Sequence, residues 1–416
     1  MSTPYALAKE TCAALGVDTE AALRTLAATP ISLHCWQGDD ITGFETSGGG
    51  AGDGTLVTGN YPGKARNMDE LRADLDRAFS LVPGTHRLNL QAIYADFGGA
   101  KKPDRDALTT AHFQSWIDWC RERRLGFDLA GTFFAHPLAA DGFTLSHADP
   151  GVRRFWIEHA AVCRRIAADA GRQLGTPAVT NLWIPDGYKD TPFDRKSPRL
   201  RLEAALDEAF AEKLDPAHQL DAVESKLFGI GLESYTVGSH EFYTGYAVKN
   251  QKLLCLDTGH FHPTETVADK ISALLQFVPG VFLHVSRGVR WDSDHVTLND
   301  DPTRALMEEL VRGDFLSRTH IGLDFFDASI NRVAAWVIGM RAAQKALLSA
   351  LLEPAALLRE AEESGDHTLR LALMEEARAL PLGAVWNEHC MRHNVPVGAA
   401  WLEDIEQYER AVQSKR

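Results

Sequence analysis

Short apolar runs alternate with longer segments of helical pattern through the middle of the chain. Each run is rich in Val, Ile, Leu or Phe, and the pattern predicts eight β-strands, at 31–36, 87–94, 125–131, 178–184, 220–225, 252–257, 280–286 and 320–326. Repeated strand–helix units predict a parallel sheet. Eight such units in roughly 300 residues favour a closed (β/α)8 TIM barrel over a doubly wound open sheet. No GxGxxG motif follows the first strand, as a dinucleotide-binding open sheet would require.

Helical patterns fill most of the connections. Residues 150–170 give one example, because Asp149 is a good N-cap and Pro150 a good first helical residue. Residues 266–277 give another. Before the first strand, residues 4–28 predict a single N-terminal helix.

The chain is predicted to be helical from about residue 328 to its end. Residues 328–352 predict one long helix with Asp327 as its N-cap. Residues 355–380 have the Ala-, Leu- and Glu-rich composition of helices, and residues 400–413 form a last amphipathic pattern.

These patterns divide the chain into three parts. We predict a helical N-terminal segment at 1–30, the barrel at 31–345 and a helical C-terminal extension at 346–416. The extension is too polar to form a core of its own. We therefore expect it to pack on the barrel or on a neighbouring subunit and to serve oligomerisation.

Composition narrows the class of protein. The 416 residues are 45% hydrophobic, which is enough for a large core. A net charge of −14 argues against nucleic acid or an anionic membrane as the main partner. The longest clean apolar runs, such as 346–352, are far too short to span a bilayer.

The cysteines and the N-terminus predict a cytoplasmic protein. The six cysteines are scattered and contain no CxxC pair, so we expect reduced, mostly buried thiols. The N-terminus carries Lys9 and Glu10 in an amphipathic stretch and lacks the apolar segment of a signal peptide.

Acids and histidines gather where the later predicted strands end. In a parallel barrel these ends meet at one rim, where functional residues collect. The side chains at or just beyond the ends of strands five to eight are Glu224, Asp257, His260, His284, Asp292, Asp294 and Asp324.

This set predicts a pair of divalent metal ions. Carboxylates and imidazoles suit Mn²⁺, Mg²⁺ or Co²⁺ better than a thiolate zinc site does, and five carboxylates nearly balance two dications. If Glu224 bridges, about four positions on two six-coordinate ions stay open for water and substrate oxygens. Any one of these residues alone could be a helix cap or a core histidine. Their joint occurrence at successive strand ends favours metal.

Two further side chains fall near this rim. Lys226 stands two residues after Glu224, so strand alternation places both on one face, where Lys226 could polarise a sugar carbonyl. A charge-balancing salt bridge is the structural alternative for Lys226. Trp183 ends strand four and offers an apolar wall for the C–H face of a sugar. The stretch "WQGDD" at 36–40 ends strand one at the same rim and could also line the pocket.

Motifs along nearly the whole chain resemble the L-rhamnose isomerase family of the bacterial rhamnose pathway. More distantly, the chain resembles the xylose isomerase superfamily, which shares the barrel and the Glu-x-Lys strand. The motifs that carry the resemblance are "SLHCWQGDD", "TGNYPGKARN", "DGFTLSHAD", "WIPDG", "VESKLFGIG", "ESYTVGS", "LDTGHFHPTE", "HVSRGVRWDSDH" and "IGLDFFDASINR".

The resemblance implies an aldose–ketose isomerase that interconverts L-rhamnose and L-rhamnulose, the first step of L-rhamnose catabolism. It also implies a homotetramer with two divalent ions per subunit, usually Mn²⁺, of which the second could be Zn²⁺, Co²⁺ or Mg²⁺.

The family's motifs also assign roles to residues of this sequence. They imply a structural ion on Glu224, Asp257, His284 and Asp324, and a catalytic ion on His260, Asp292 and Asp294 with Glu224 shared. They imply catalytic roles for Lys226, Asp292 and Asp294. They imply substrate contacts for Trp183, Lys226, Glu224 and His260.

One departure from the family pattern affects the chemistry. Strand two tends to read "LNLHAIY" in the family and reads "LNLQAIY" here, with Gln91. A histidine could shuttle the proton that opens the pyranose ring, whereas glutamine can hydrogen-bond but cannot titrate. Ring opening therefore falls to a neighbouring residue, a metal-bound water or the spontaneous reaction.

Several alternatives stay open at this point. For the carbon-bound hydrogen we favour hydride transfer over an enediol, because the sequence offers no clear lone carboxylate base. An isomerase or epimerase for another deoxy or rare sugar is the nearest alternative. A barrel endonuclease would need basic DNA-gripping loops, and a non-catalytic sugar-binding protein would not explain open metal positions.

Overall fold

A computed structural model describes residues 3–45, 57–99, 102–226, 234–289 and 294–416. Eight parallel strands form a nearly closed barrel in the order β3-β2-β1-β8-β7-β6-β5-β4, so the predicted (β/α)8 fold is confirmed. The strands are β1 (Ile31–His34), β2 (Arg87–Gln91), β3 (Gly126–Ala130), β4 (Ala178–Leu182), β5 (Gln219–Glu224), β6 (Leu253–Asp257), β7 (Val281–Val285) and β8 (Thr319–Leu323).

The register of the later strands brings the polar residues to the same end of the barrel. Asp257 on β6 lies opposite His284 on β7, and His284 lies opposite Gly322 on β8. Glu224 on β5 lies opposite Cys255 on β6. The polar residues at or next to the ends of β5 to β8 therefore lie at one part of the rim.

Side chains close the barrel between β3 and β4. These two strands stand at the two ends of the hydrogen-bonded order, and the described residues form no backbone ladder between them. The Asp128 carboxylate accepts the Val179 N–H at 2.8 Å and binds the Arg87 guanidinium at 2.8 Å. Arg87 also donates to Pro177 O at 2.8 Å. One buried ion pair thus joins strand β2, strand β3 and the start of β4.

Helices surround the barrel and extend beyond it. The described helices are α1 (Pro4–Ala13), α2 (Thr19–Ala28), α3 (Met68–Ser80), α4 (Gln114–Arg123), α5 (Pro150–Leu174), α6 (Lys196–Ala209), α7 (His240–Asn250), α8 (Val267–Leu274), α9 (Asp301–Arg312), α10 (Arg332–Leu351), α11 (Ala355–Glu363), α12 (His367–Arg378), α13 (Leu382–Arg392) and α14 (Trp401–Ala411). The Asp149 side chain caps α5 by accepting the N–H groups of Gly151 and Val152, as predicted. No helix in the described ranges is long and apolar enough to cross a membrane.

One predicted helix and one segment of helix-forming composition are each divided in two. The prediction of one helix over 4–28 is wrong, because the chain turns at Gly16 with a φ of +77° and restarts at α2 with Asp18 as N-cap. Residues 355–380 likewise form α11 and α12, separated at Gly365 with a φ of +74°. Glycine enters this left-handed region without a Cβ penalty, so it ends a helix that the surrounding composition would continue.

The prediction of Asp327 as the cap of the long C-terminal helix is wrong. That helix, α10, begins at Arg332, and the Asn331 side chain accepts the N–H groups of Val333 and Ala334. The backbone N–H and C=O of Asp327 are both bonded to the Gln37 side chain, at 2.7 and 2.9 Å. These bonds keep residue 327 outside the helix.

The C-terminal extension packs on the barrel unevenly. Helices α13 and α14 bury Trp386, Trp401 and Tyr408, whereas α12 buries no residue and exposes Leu369 and Leu371. The predicted boundary between barrel and extension, at residues 345 and 346, falls inside helix α10. The division at this point therefore stays a prediction. All six cysteines are free and buried, as expected.

Candidate metal centre

Four of the predicted ligands converge at the rim. Glu224 ends β5, Asp257 ends β6, His284 lies in β7 and Asp324 follows β8. One ligand atom from each lies within 4.8 Å of the others. The first three residues are at most 3% exposed, and the Asp324 side chain is 17% exposed. Three carboxylates and an imidazole therefore share one nearly dry space.

His284 lies between the three carboxylates. Its Nδ1 is 3.3 Å from Glu224 Oε2, 3.3 Å from Asp324 Oδ2 and 3.9 Å from Asp257 Oδ2. Neither ring nitrogen meets hydrogen-bond geometry with any described residue. A buried imidazole without a hydrogen bond is costly unless another group takes its lone pair.

The electrostatics of the cluster call for positive charge. Burial alone would raise the pKa of Glu224, but the nearby His284 and His260 hold it well below its usual value. Burial alone would lower the pKa of His284, but Cys255 and Glu224 raise it well above the ordinary value. The buried carboxylates thus attract positive charge. A divalent cation among the same oxygens would meet the same demand.

His260 presents one ring nitrogen to the cluster. Its Nδ1 is 2.9 Å from the carbonyl oxygen of Ser225 and 3.1 Å from Glu224 Oε1. Both partners are acceptors, so they assign the proton to Nδ1. The other nitrogen, Nε2, lies 3.8 Å from Asp257 Oδ2. This is the arrangement by which a carbonyl orients a metal-binding histidine.

The rest of the predicted second ligand set is described only in part. Asp292 lies outside the described residues. Asp294 has a φ of +45°, and its carbonyl accepts the Phe326 N–H at 3.1 Å, which places its backbone beside the loop that follows Asp324.

Cys255 also lies within reach of Glu224 and His284. Burial raises the pKa of its thiol, and the neighbouring Glu224 adds to the effect. A thiol that stays protonated is a poor ligand, so the oxygen and imidazole donors define the centre. This donor set suits a hard or borderline divalent cation.

Each ligand carboxylate also accepts a hydrogen bond from outside the cluster. The Trp36 indole Nε1 donates to Asp324 Oδ1 at 2.9 Å, and the Gly259 N–H donates to Asp257 Oδ1 at 2.6 Å. The Asn181 amide donates to Glu224 Oε2. Asn181 was not predicted from the sequence. Its signal was a polar residue inside the apolar run at 178–184, which must find a partner when buried.

Lys226 and Trp183 lie beside each other. Trp183 follows β4, and the Lys226 Nζ is 5.0 Å from the centre of the indole ring. Phe134 packs edge-on against the same ring, at 6.0 Å between centroids. The ammonium group therefore lies over the face of the indole ring.

Gln91 ends β2 on the opposite side of the barrel order from the metal cluster. Its Oε1 accepts the Thr132 hydroxyl at 3.3 Å. This bond orients the amide but gives it no proton to transfer.

Comparison with known proteins gives a match along the whole chain. A family model described as L-rhamnose isomerase (RhaA) matches residues 1–416. The L-rhamnose isomerase of Rhodopirellula baltica is 58% identical over 412 residues, covering 99% of this chain and 96% of the relative. That of Cronobacter sakazakii is 60% identical over 412 residues, covering 99% and 98%.

A solved structure of an L-ribulose 3-epimerase matches more weakly. It is 15% identical, covers 81% of this chain and 98% of that chain, and has a TM-score of 0.46. The family assignment therefore rests on the sequence relatives, which match along almost their entire length.

Proposed function

This chain belongs to the L-rhamnose isomerase family and is an isomerase, and we propose that it interconverts L-rhamnose and L-rhamnulose, the first step of L-rhamnose catabolism. The observation that carries this proposal is the match over the whole chain together with the convergence of Glu224, Asp257, His284 and Asp324 at the rim. The donor chemistry of that cluster fits a divalent ion, as an isomerase of this family needs.

We propose two divalent ions per subunit, with Mn²⁺ as the catalytic one. The four converging residues would hold the structural ion. His260, Asp292 and Asp294 would hold the catalytic ion, with Glu224 shared. When bound, the ions supply Lewis-acid polarisation of substrate oxygens and lower the pKa of a bound hydroxyl.

The residues of the chain do the rest of the positioning. The Lys226 ammonium would face the carbonyl oxygen of the open-chain sugar and stabilise the charge that develops there. The Trp183 ring would cover the C–H face of the sugar and exclude water. Glu224 and His260 would contact sugar oxygens as well and so fix the orientation of the open chain.

We propose that the carbon-bound hydrogen moves within the sugar. The C2 hydroxyl loses its proton, the hydrogen on C2 passes with its electron pair to C1, and the alkoxide formed on O1 takes up the proton that O2 released, so C2 is oxidised as C1 is reduced. Each carboxylate of the four-residue cluster faces His284 and accepts a hydrogen bond from a neighbouring residue. None of them is therefore well placed to act as a free base that takes a proton from carbon.

Turnover in deuterated water tests this hydrogen transfer. We expect L-rhamnulose with almost no carbon-bound deuterium at C1, because an intramolecular transfer does not exchange with solvent. Substantial deuterium at C1, measured by NMR at low conversion, would show instead that an enediol and a proton-shuttling base carry the reaction.

The function itself is tested by the rate of L-rhamnulose formation from L-rhamnose. Metal-stripped protein is assayed with and without added Mn²⁺, beside the variant Asp292→Asn. We expect activity only with Mn²⁺ and a loss of at least about a hundredfold in the variant. Asp314→Asn is the matched control, because Asp314 is exposed and has a φ of +56°, which asparagine accepts.

A failure of this assay has a clear reading. Protein that rebinds two ions yet leaves L-rhamnose unchanged would keep the barrel and the ligands and lose the substrate. Other aldoses would then be assayed in the same way.

We also propose that the protein works in the cytoplasm as a homotetramer. Six free, buried thiols are typical of a reducing compartment, and the exposed leucines of α12 offer a surface for assembly. Light scattering tests the assembly, with a mass four times the 45.8 kDa of the chain as the expected result.

A further inference from the structure

Uncharged N–H donors form hydrogen bonds with two carboxylates of the metal centre. We propose that Trp36 and Asn181 are positioning residues that fix Asp324 and Glu224 for a divalent cation through their indole and amide N–H groups. The inference rests on the metal site of the proposed function. It goes beyond that function by assigning a role to two residues that are not among the proposed metal ligands or sugar contacts.

Asp324 needs a positioning partner more than the other ligands do. Glu224, Asp257 and His284 lie within strands, whereas Asp324 comes after the end of β8. Its side chain is also the most exposed of the four, at 17%. The Trp36 indole holds Oδ1 at 2.9 Å, and the other oxygen, Oδ2, then lies 3.3 Å from His284 Nδ1.

Trp36 is itself immobile enough to serve this purpose. It lies in a short helical turn directly after β1, the strand that pairs with β8. It is 3% exposed, and its ring packs against His34 at 5.2 Å between centroids. A large ring fixed by packing transmits its own position to the carboxylate that it binds.

Asn181 is the corresponding positioning residue for Glu224. It lies on β4, which pairs with β5, and its amide nitrogen donates to Glu224 Oε2. Its own Oδ1 is buried and makes no hydrogen bond with a described residue. Burying an unpaired amide oxygen is destabilising, so a leucine would serve packing better. The hydrogen bond to Glu224 therefore accounts for an asparagine at this position.

The lack of charge on both donors suits a metal site. Some buried carboxylates elsewhere in this barrel are paired with guanidinium groups, as Asp128 is with Arg87 and Asp221 is with Arg164, whereas Asp186 is held by uncharged hydroxyl and N–H donors. A guanidinium would cancel the charge of a metal ligand. An indole or amide N–H orients the carboxylate and leaves its negative charge available to the cation.

The experiment measures Mn²⁺ affinity without sugar. Wild-type protein, Trp36→Phe and Asn181→Leu are stripped with chelator and titrated with Mn²⁺ by calorimetry. We expect Mn²⁺ to bind about tenfold or more weakly to each variant, the effect typical of losing a partner of a metal ligand. The thermal midpoint of metal-stripped Asn181→Leu should stay close to that of metal-stripped wild type.

Trp116→Phe is the matched control. Its indole donates to the Tyr94 carbonyl at 2.9 Å, is fully buried and does not touch the ligands. We expect wild-type Mn²⁺ affinity in this variant. An affinity within twofold of wild type in Trp36→Phe or in Asn181→Leu would overturn the role of that residue. If Trp36→Phe does not fold, Asn181→Leu still decides the proposal.

The design separates this inference from the proposed function. Wild-type protein that binds Mn²⁺ but makes no L-rhamnulose overturns the function, and the ratios of Mn²⁺ affinity still decide the positioning roles. Wild-type protein that binds no Mn²⁺ overturns both.

Discussion

Lys226 is the positive charge next to the space that we assign to the substrate. Its Nζ lies 5.0 Å from the centre of the Trp183 ring, in the residue pair that the sequence singled out from strand alternation and from the apolar end of strand four. A cation held over an aromatic ring and beside a metal ligand is suited to stabilising a developing oxyanion.

We expect Lys226→Met to lower kcat by about a hundredfold or more with a smaller change in KM, because the charge acts on the transition state. Steady-state kinetics with L-rhamnose measures this. Lys249→Met is the control, since Lys249 is exposed and pairs only with Glu203 among the described residues. A normal kcat in Lys226→Met would leave Lys226 with only a salt-bridge role.

At the residue scale, strand-end position was enough to predict which side chains converge but not which groups donate hydrogen bonds to them. Glu224, Asp257, His284 and Asp324 each follow from one rule, that functional side chains lie where parallel strands end. Which donor faces each carboxylate depends on side-chain directions across the barrel. The bond from Trp36 to Asp324 joins the first and last strands and leaves no local pattern in the sequence.

At the element scale, the junction between β3 and β4 depends on Asp128. Burial would raise the pKa of this carboxyl, but Arg87 and the Ser32 hydroxyl outweigh burial and lower it. Asp128 therefore stays charged inside the barrel. It bridges two strands that share no backbone ladder in the described structure.

We expect Asp128→Asn to lower the free energy of unfolding by about 3–5 kcal/mol, because it leaves the Arg87 guanidinium buried without its counter-charge. Urea denaturation measures this loss. Asp118→Asn is the control. It removes an exposed Arg–Asp pair, which contributes at most about 1 kcal/mol. Equal losses in the two variants would contradict the role of Asp128.

The existence of the strands and helices was predictable from the sequence, and the positions of their ends were less so. Apolar periodicity located all eight strands of the barrel, because each of them is buried and short. The divided helices were missed because Gly16 and Gly365 each sit within a composition that favours helix. The start of α10 was missed because contacts to Gln37, far away in sequence, hold Asp327 outside the helix.

At the scale of the whole molecule, several buried histidines make stability depend on pH. Burial lowers the pKa of His34 and of His86 to about 4, and that of His159 to about 3. His159 is bonded as a neutral ring, since Nε2 accepts the Thr132 N–H and Nδ1 lies 3.0 Å from the Arg105 carbonyl.

The free energy of unfolding should fall as pH drops from about 6.5 toward 4. In this window the unfolded chain binds protons on these histidines and the folded chain does not, so each contributes a loss of about 1.4 kcal/mol per pH unit. Urea denaturation at pH 7, 6 and 5 measures the slope. His159→Gln, which keeps one donor and one acceptor, should flatten it, and the exposed His367→Gln serves as control. A slope that His159→Gln leaves unchanged would contradict this account.

The overall architecture was the most predictable level of all. Alternation of strand and helix specified the barrel, and the polarity of the tail predicted that it would not form a separate core. The closure of the barrel could not be read from the sequence, because it depends on a network of Arg87, Asp128 and Val179 drawn from three strands.

The bond between Trp36 and Asp324 also sets an order of events in biosynthesis. The two residues are 288 positions apart. A ribosome that adds roughly 5–20 residues per second makes Asp324 about 15–60 s after Trp36. Until then β1 has no β8 to pair with, and Glu224, Asp257 and His284 lack the Asp324 carboxylate. The nascent chain therefore spends most of its synthesis with an incomplete cluster.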